Sequence, residues 1–271
     1  MHHFLASILP LDWRSLWLIV AAFIGGTLNA VAGGGSFLTF PAMLGVGLLP
    51  IQANATNTVA LWPGQLTSIA AYRGHIRNHL RLAFWMALAG FLGGTAGAIV
   101  LLSTPQRTFL HLVPWLLLVA ALIFAASGPA ARWLARRADA RRTQMATGGV
   151  KRGISGRLFA ATVAVCFYIG YFGAGAGFLI ISLLSLFGFE DLHEINALKV
   201  VSTTLANGMA FALFVIEGQV EWHYCLLAMV TCAIGGYTSA SLARKIPQPV
   251  LRASVVVIGL TMAAWFFWKD R

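Results

Sequence analysis

The sequence predicts an all-α integral membrane protein with about ten hydrophobic segments, arranged as two inverted five-segment repeats with broken or re-entrant helices. Three observations lead to this fold class. Hydrophobic residues make up 59% of the chain and charged residues 10%, and the mean hydropathy is +0.79, far outside the range of soluble proteins. The first half of the chain matches the second at an offset of 142 positions. One apolar segment in each half opens with a glycine-rich stretch.

The repeat is carried by glycine, asparagine and proline residues that keep one register along each half. The matched pairs are Gly33 and Gly175, Gly35 and Gly177, Asn54 and Asn196, Ala55 and Ala197, Gly93 and Gly235, Gly94 and Gly236, Pro105 and Pro247, and Gln106 and Gln248. A repeat with an odd number of segments makes its second copy enter the membrane from the opposite face, so we expect inverted copies. Such duplication is typical of membrane transporters, whose substrate site lies where the repeats meet.

The hydrophobic segments divide evenly between the two halves. The first half has segments near 16–32, 36–49, 56–72, 81–103 and 109–127. The second half has segments near 158–172, 176–189, 196–216, 222–243 and 250–268. We therefore expect an N-terminal segment (1–15), a first membrane repeat (16–127), a basic linker (128–157) and a second membrane repeat (158–268).

The first segment is expected to be a retained membrane span. It is followed directly by another apolar run, without the A-x-A cleavage pattern of a signal peptide. The fourth and fifth segments of each half are long enough to cross a hydrocarbon core of about 30 Å as helices.

The second segment of each half is short and opens with glycine. Ala32–Ser36 precedes the segment 36–49, and Gly173–Gly177 opens the segment 176–189. About 14 residues are too few for a full helical crossing, which needs roughly 20. Each glycine weakens a helix by about 1 kcal/mol relative to alanine, so we expect the backbone to unwind at both places. The following helix start would then offer N–H groups to an anion, the alternative being close helix packing at small residues.

The third segment of each half is unusually polar for a membrane span. The polar residues that share one helical face are Asn54, Asn57 and Thr58 in the first half and Asn196, Lys199 and Thr203 in the second. Under the offset of 142, Asn57 aligns with Lys199, and Gln65 aligns with Asn207. Amide and ammonium groups are costly in hydrocarbon, so we expect both faces to point into the bundle or toward water.

Lys199 is the basic residue best separated from the charged loops. An ionisable group within a membrane segment predicts a functional site, and here it would supply the counter-charge for a small oxyanion. The alternative is that its four-carbon stem lets the ammonium reach the cytoplasmic surface near Glu190, Asp191 and Glu194.

Basic residues predict the orientation of the chain. The linker 128–157 contains eight of the 19 lysine and arginine residues, so the positive-inside rule makes it cytoplasmic. Counting membrane segments in both directions from the cytoplasmic linker places both chain ends outside the cell. The same count places the basic residues around Arg77 and Lys245 inside. The formal net charge of +11 is then mainly a topology signal, and we expect no nucleic-acid partner.

Two glycine motifs in this sequence resemble those of a known family. The stretch Asn29–Pro41, with Ala53–Asn57 after it, and the second-half copy Gly170–Phe178 are similar to the TauE/SafE sulfite exporter family of membrane permeases. The resemblance covers roughly residues 15–268. It implies the family's fold and the movement of sulfite, sulfonates or related sulfur-containing anions. The second half departs from the pattern, because Gly173–Gly177 alternates alanine with glycine, which leaves the shape of that half-site undefined.

We therefore expect a secondary transporter for small sulfur-containing oxyanions in the cell (inner) membrane, working by alternating access around a midplane site between the repeats. The alternative is an anion channel or a non-transporting membrane receptor. The expected substrate-binding residues are Asn29, Gly33, Gly34, Gly35, Ser36, Asn54, Asn57, Thr58, Gln65, Gly173, Gly175, Gly177, Asn196, Lys199, Thr203 and Asn207.

No catalytic residue, cofactor or metal is expected. The chain lacks the H-E-x-x-H, G-x-S-x-G and P-loop patterns, and Glu190–Glu194 is a short acidic loop without partner ligands at known spacing. We expect a small anionic substrate and the lipid bilayer as partners, and leave a homodimer open. All eight acidic residues lie at termini, loops or segment ends, which argues against a carboxylate proton relay. Facilitated export, a cation held by backbone carbonyls and a titrating histidine stay open as modes of coupling.

Overall fold

A computed structural model describes residues 13–32, 34–123, 125, 155–189, 191–242 and 248–269. These residues form ten helices and no strand. The first half contains α1 (Trp13–Ala32), α2 (Ser36–Gly45), α3 (Pro50–Asn78), α4 (Leu80–Ser103) and α5 (Gln106–Ile123). The second half contains α6 (Gly156–Tyr171), α7 (Ala176–Leu186), α8 (Leu192–Ile216), α9 (Trp222–Leu242) and α10 (Gln248–Lys269). The predicted all-α fold is confirmed.

The third helix of each half is longer than the sequence pattern predicted. Helix α3 has 29 residues and α8 has 25, because polar residues continue each helix beyond its apolar part. Asp191 starts α8 by accepting the backbone N–H of His193 at 2.8 Å, a cap that lowers the pKa of this carboxyl. Nearly all of the linker 128–157 lies outside the described residues, so its predicted position is not addressed by the structure.

The two short helices are half-spans in length. Helix α2 has 10 residues and α7 has 11, so each rises about 15 Å, half of a hydrocarbon core of about 30 Å. Helices α4, α5 and the 193–216 part of α8 are long and apolar enough to cross a membrane. Together with the composition, these helices make the chain a multi-pass membrane protein.

The first helix of each half packs against the fourth helix of the other half. Helix α1 packs on α9, and α6 packs on α4. Glycine allows the backbones to touch: a Cβ at Gly26 would lie 2.2 Å from the carbonyl oxygen of Cys232, and a Cβ at Gly97 would lie 2.1 Å from that of Phe167. Two structurally related halves are expected to show the same pairing in both directions. The inverted orientation of the two repeats in the membrane stays a prediction from the sequence.

Large apolar side chains cover the outside of the bundle. Phe84 on α4, Leu122 on α5, Val230 on α9 and Trp268 on α10 are each more than half exposed. An apolar exterior of this kind suits hydrocarbon and not water, as a transmembrane bundle requires.

Candidate functional site

Each half contains an interruption between its first and second helices. Break one comprises Gly34 and Gly35, between the end of α1 at Ala32 and the start of α2 at Ser36. Gly33, also predicted for the site, lies outside the described residues. Break two comprises Phe172–Gly175, between α6 and α7. Both unwound stretches occur where the glycine motifs predicted them, although Gly177 belongs to the first turn of α7 and not to the break.

Break two depends on glycine for its backbone conformation. Gly173 has φ +76° and Gly175 has φ +71°, the left-handed region that side chains with a Cβ rarely adopt. The hydroxyl of Tyr168 donates to the carbonyl oxygen of Ala174 at 2.8 Å. The unwound backbone is thus hydrogen-bonded within the protein, as backbone at membrane depth must be.

Break one depends on glycine for space. Gly35 has φ −56°, which any residue adopts, but a Cβ there would lie 2.6 Å from the carbonyl oxygen of Gly25 and 2.7 Å from Cβ of Asn29. The last turns of α1, with Asn29, therefore lie directly against the start of α2. Ser36 is the first residue of α2.

The two breaks meet across the interface between the halves. The rings of Phe40 and Phe172 are 5.4 Å apart, and a Cβ at Gly175 would lie 3.6 Å from the Phe37 ring. The side-chain amide of Asn54 donates to the carbonyl oxygen of Tyr171, just before break two, at 3.1 Å. The start of α2 is therefore held against the end of α6.

Helices α3 and α8 contact each other where they cross. The contacting residues occupy equivalent positions in the two halves under the offset of 142. Trp62 Nε1 donates to the carbonyl oxygen of Thr204 at 3.1 Å. Asn207 Nδ2 donates to Gln65 Oε1 at 3.2 Å. In both bonds the partners are 142 positions apart, so residues that the sequence aligned as equivalent join the two halves at the crossing.

A row of polar side chains follows α8 past break two. This α8 stripe, formed by Asn196, Lys199, Thr203 and Asn207, is partly exposed. Lys199 Nζ donates to Asn196 Oδ1 at 3.0 Å, and its stem lies 3.6 Å from the position a Cβ would take at Gly177. Asn207 Oδ1 is 3.8 Å from the corresponding position at Gly173. Lys199 thus lies beside the start of α7.

Three of the four equivalent positions on α3 are buried, and Gln65 is partly exposed. This α3 stripe is formed by Asn54, Asn57, Leu61 and Gln65. Asn54 is 1% exposed, Asn57 is 2% exposed and Leu61 is 9% exposed. The hydroxyl of Thr58 donates to the carbonyl oxygen of Asn54, within its own helix, at 2.9 Å.

The structure brings the predicted residues together as two groups. Helices α3 and α8 run antiparallel, because the end of α3 contacts the start of α8 through His79 and Glu194, and the start of α3 contacts Glu221 beyond the end of α8 through Thr56. Asn57 and Lys199 therefore lie in opposite directions from the crossing, each about 10 Å along its helix. They are therefore roughly 20 Å apart, too far for one small anion to contact both. Break one and the α3 stripe form one group, and break two and the α8 stripe form the other.

Several residues of this region were absent from the sequence prediction. They are Thr39, which contacts Asn57, Trp62 and Thr204 at the crossing, Tyr168 at break two, and Thr56, which accepts the backbone N–H of Glu221 at 3.1 Å. Thr39 was detectable as a hydroxyl in the apolar α2. Trp62 was detectable because it stands 142 positions before Thr204.

The alternative in which Lys199 reaches the cytoplasmic surface concerns a separate cluster of acidic and histidine side chains. Glu194 pairs with His79 Nδ1 at 3.4 Å, and the ring of His193 stacks on that of His75 at 5.1 Å. In the described part of the chain, Lys199 forms no ion pair with Asp191 or Glu194. These contacts instead join the end of α3 to the start of α8.

Comparison with known proteins gives one family and several relatives. The family model described as sulfite exporter TauE/SafE matches residues 18–266. A probable membrane transporter protein of Haemophilus influenzae is 27% identical over 250 residues, covering 91% of this chain and 92% of the relative. The probable membrane transporter protein ORF9 of a Sinorhizobium species is 28% identical over 252 residues, covering 91% and 90%. The probable membrane transporter protein YfcA of Escherichia coli K12 is 24% identical over 251 residues, covering 91% and 87%. No solved structure matches the chain significantly.

Proposed function

Because this chain belongs to the TauE/SafE sulfite exporter family and is a membrane transporter, we propose that it carries small sulfur-containing oxyanions, such as sulfite or organosulfonates, by alternating access. The family and the relatives' names support a transporter and not an enzyme. The substrate class and the mechanism are our inference from the family resemblance and from the α8 stripe.

The observation that carries the proposal is the position of Lys199. Its stem lies beside the first turn of α7, an 11-residue helix, and its ammonium bonds Asn196 on α8. The unpaired N–H groups of a helix start and a nearby ammonium both favour an anion. Nζ uses one donor on Asn196, which leaves two of its three for a ligand. The proposed substrate accordingly carries a negative charge and several acceptor oxygens.

The polar residues along the α8 stripe would set the fit of the substrate. Hydroxyl and amide groups can bond oxyanion oxygens without adding charge, so one ammonium balances one negative charge. Thr203 and Asn207 continue the stripe from Lys199 to the crossing with α3. The contact of Asn207 with Gln65 would then close the path beyond the anion.

The unequal burial of the two stripes supports alternating access. Asn196, Lys199 and Thr203 are partly exposed, whereas the equivalent Asn54, Asn57 and Leu61 are buried. If the repeats are inverted, equivalent positions face opposite sides of the membrane. The structure then corresponds to a state open toward the start of α8. On the charge pattern of the sequence, that side is cytoplasmic, with both chain ends outside and the protein in the inner membrane.

Counterflow in proteoliposomes tests the substrate and Lys199 together. The panel comprises sulfite, sulfate, sulfoacetate, taurine and simple carboxylates. We expect saturable flux of a sulfur oxyanion, and we expect Lys199→Gln to reduce it at least tenfold because the counter-charge is lost. Unitary currents in place of saturable flux would identify a channel, and binding without flux would identify a receptor.

The matched control is Arg107→Gln, which removes one positive charge from an exposed position in the first turn of α5. It should transport like the parent. Full flux in folded Lys199→Gln protein would exclude Lys199 from the site. Absence of flux for every sulfur anion in folded parent protein would contradict the proposed substrate class.

A further inference from the structure

Buried side-chain oxygen atoms lie beside break one, and the anion site does not use them. Thr39 Oγ1 lies 3.1 Å from the carbonyl oxygen of Gly35 and also contacts Asn57 Oδ1. A hydroxyl has one proton, so Thr39 can donate to only one of these two oxygens. The carbonyl oxygen of Gly35 also accepts the backbone N–H groups of Leu38 and Thr39, each at 3.1 Å, so helix α2 already supplies its donors. Thr39 and Asn57 are almost fully buried, so any further partner of their side-chain oxygens must be held inside the protein.

Asn54 adds a second acceptor without a donor. Its Nδ2 donates to the carbonyl oxygen of Tyr171, which fixes the orientation of the amide, because the opposite orientation would place oxygen against oxygen. Asn54 is 1% exposed, and Oδ1 has no hydrogen-bond partner among the described residues. Asn54 precedes Asn57 by one helical turn, so both side chains share the buried face of α3.

The same positions in the second half contain a cation. Asn196 is the equivalent of Asn54, and its Oδ1 accepts a hydrogen bond from Lys199 Nζ at 3.0 Å. Lys199 is itself the equivalent of Asn57 and lies over Gly177, the equivalent of Gly35. The second half thus satisfies its asparagine oxygen with a covalently attached ammonium, where the first half has a neutral side chain and an unpaired oxygen.

We propose that a monovalent metal cation, Na⁺, binds beside break one, among Asn54 Oδ1, Asn57 Oδ1 and Thr39 Oγ1. Amide and hydroxyl oxygens are hard, neutral ligands, which suit one positive charge better than two. These groups do not titrate near neutral pH, so the site takes a metal ion and not a proton.

The cation site follows from the geometry alone, and its role in coupling rests on the proposed transport function. Break one and break two are in contact through Phe40 and Phe172, and Asn54 bonds the backbone at Tyr171. Occupancy of the site beside break one therefore acts directly on the backbone that leads to α7 and the anion. Na⁺ bound in the first half would stabilise the arrangement in which the second half holds its substrate.

The test is the thermal stability of the purified full-length protein in detergent, without substrate, in NaCl or in choline chloride at equal ionic strength. A ligand that binds only the folded state raises Tm with its concentration. At a hundredfold excess over Kd we expect a rise of roughly 5 °C in NaCl and none in choline chloride. Equal Tm values in the two salts would overturn the proposal.

Two variants locate the ion. Thr39→Val removes one oxygen at nearly constant volume and should reduce the Na⁺ response at least tenfold in apparent affinity. Asn57→Lys introduces the ammonium found in the second half and should make Tm independent of Na⁺. The control is Thr95→Val, because Thr95 is partly exposed and its hydroxyl bonds its own helix, at Phe91, at 2.6 Å. An unchanged Na⁺ response in Thr39→Val would overturn the assignment.

These results separate the cation site from the proposed substrate. Flux of a sulfur anion together with a Tm indifferent to Na⁺ would remove the cation site and leave the transport function. A Na⁺-dependent Tm that Thr39→Val abolishes would support the site even if no sulfur anion is transported.

Discussion

Gly35 and Gly177 occupy equivalent positions, yet only one of them is sterically required. A Cβ at Gly35 would lie 2.6 Å from a backbone oxygen, whereas the nearest atom to a Cβ at Gly177 is the flexible Lys199 stem at 3.6 Å. Sequence reasoning assigned both glycines the same role, because a motif records where glycine occurs and not which neighbour excludes a side chain. The contacts that make the difference come from α1 and α8, far away in sequence.

Alanine substitution at these two glycines should therefore have opposite effects. Gly35→Ala should lower the free energy of unfolding by about 1–3 kcal/mol, because the new methyl group overlaps a rigid backbone. Gly177→Ala should raise it by up to about 1 kcal/mol, because alanine favours the helix. Denaturation of both variants in detergent measures the difference. Equal destabilisation by the two substitutions would contradict the predicted close packing at break one.

The candidate site was predictable as a set of residues but not as a geometry. The polarity and the offset selected Asn54, Asn57, Asn196 and Lys199 correctly as residues inside the bundle. Their division into two groups depends on α3 and α8 running antiparallel, a tertiary relationship that spacing along one helix does not contain. Thr39 shows the same limit, because its significance comes from its contact with Asn57.

At the scale of the helices, hydrophobic length and glycine position predicted all ten elements. The breaks were detectable because glycine has a local energetic cost wherever it occurs in a helix. The ends of α3 and α8 were less predictable, since polar residues continued both helices. Their outer turns are held by contacts between the halves, such as that of His79 with Glu194.

The crossing of α3 and α8 should show energetic coupling between its two amides. A double-mutant cycle of Gln65→Ala and Asn207→Ala should give about 0.6 kcal/mol, the average for hydrogen bonds between membrane helices. The control cycle pairs Gln65→Ala with Ser103→Ala, at the exposed end of α4 and nine residues beyond the contact of Gly94 with Ala206, and should be additive within about 0.5 kcal/mol. Unfolding in denaturing detergent provides the four free energies. Additivity in the Gln65 and Asn207 cycle would mean that the bond does not hold the crossing together.

For the whole molecule, the burial of the two stripes predicts which side admits solvent. Thr203 is partly exposed, and its equivalent Leu61 is buried. In the state described, a membrane-impermeant thiol reagent should label Thr203→Cys at least tenfold faster than Leu61→Cys, and only from the cytoplasmic face. Cys166, Cys225 and Cys232 are buried, so the parent protein should give little background.

Transported anion should reduce this difference by populating the opposite state. Labelling is measured by mass shift in inside-out and right-side-out vesicles. Faster labelling of Leu61→Cys from the cytoplasmic face would reverse the predicted orientation, and equal labelling of both variants would contradict the closed state of the α3 stripe.

The hydrogen bond between Gln65 and Asn207 joins equivalent positions of the two halves. A carboxamide both donates and accepts, so it can bond to an identical copy of itself, whereas a lysine or a glutamate would repel its own copy. The crossing is therefore self-complementary. A single half of this chain, inserted in both orientations, has at this position the chemistry needed to assemble as a dual-topology dimer.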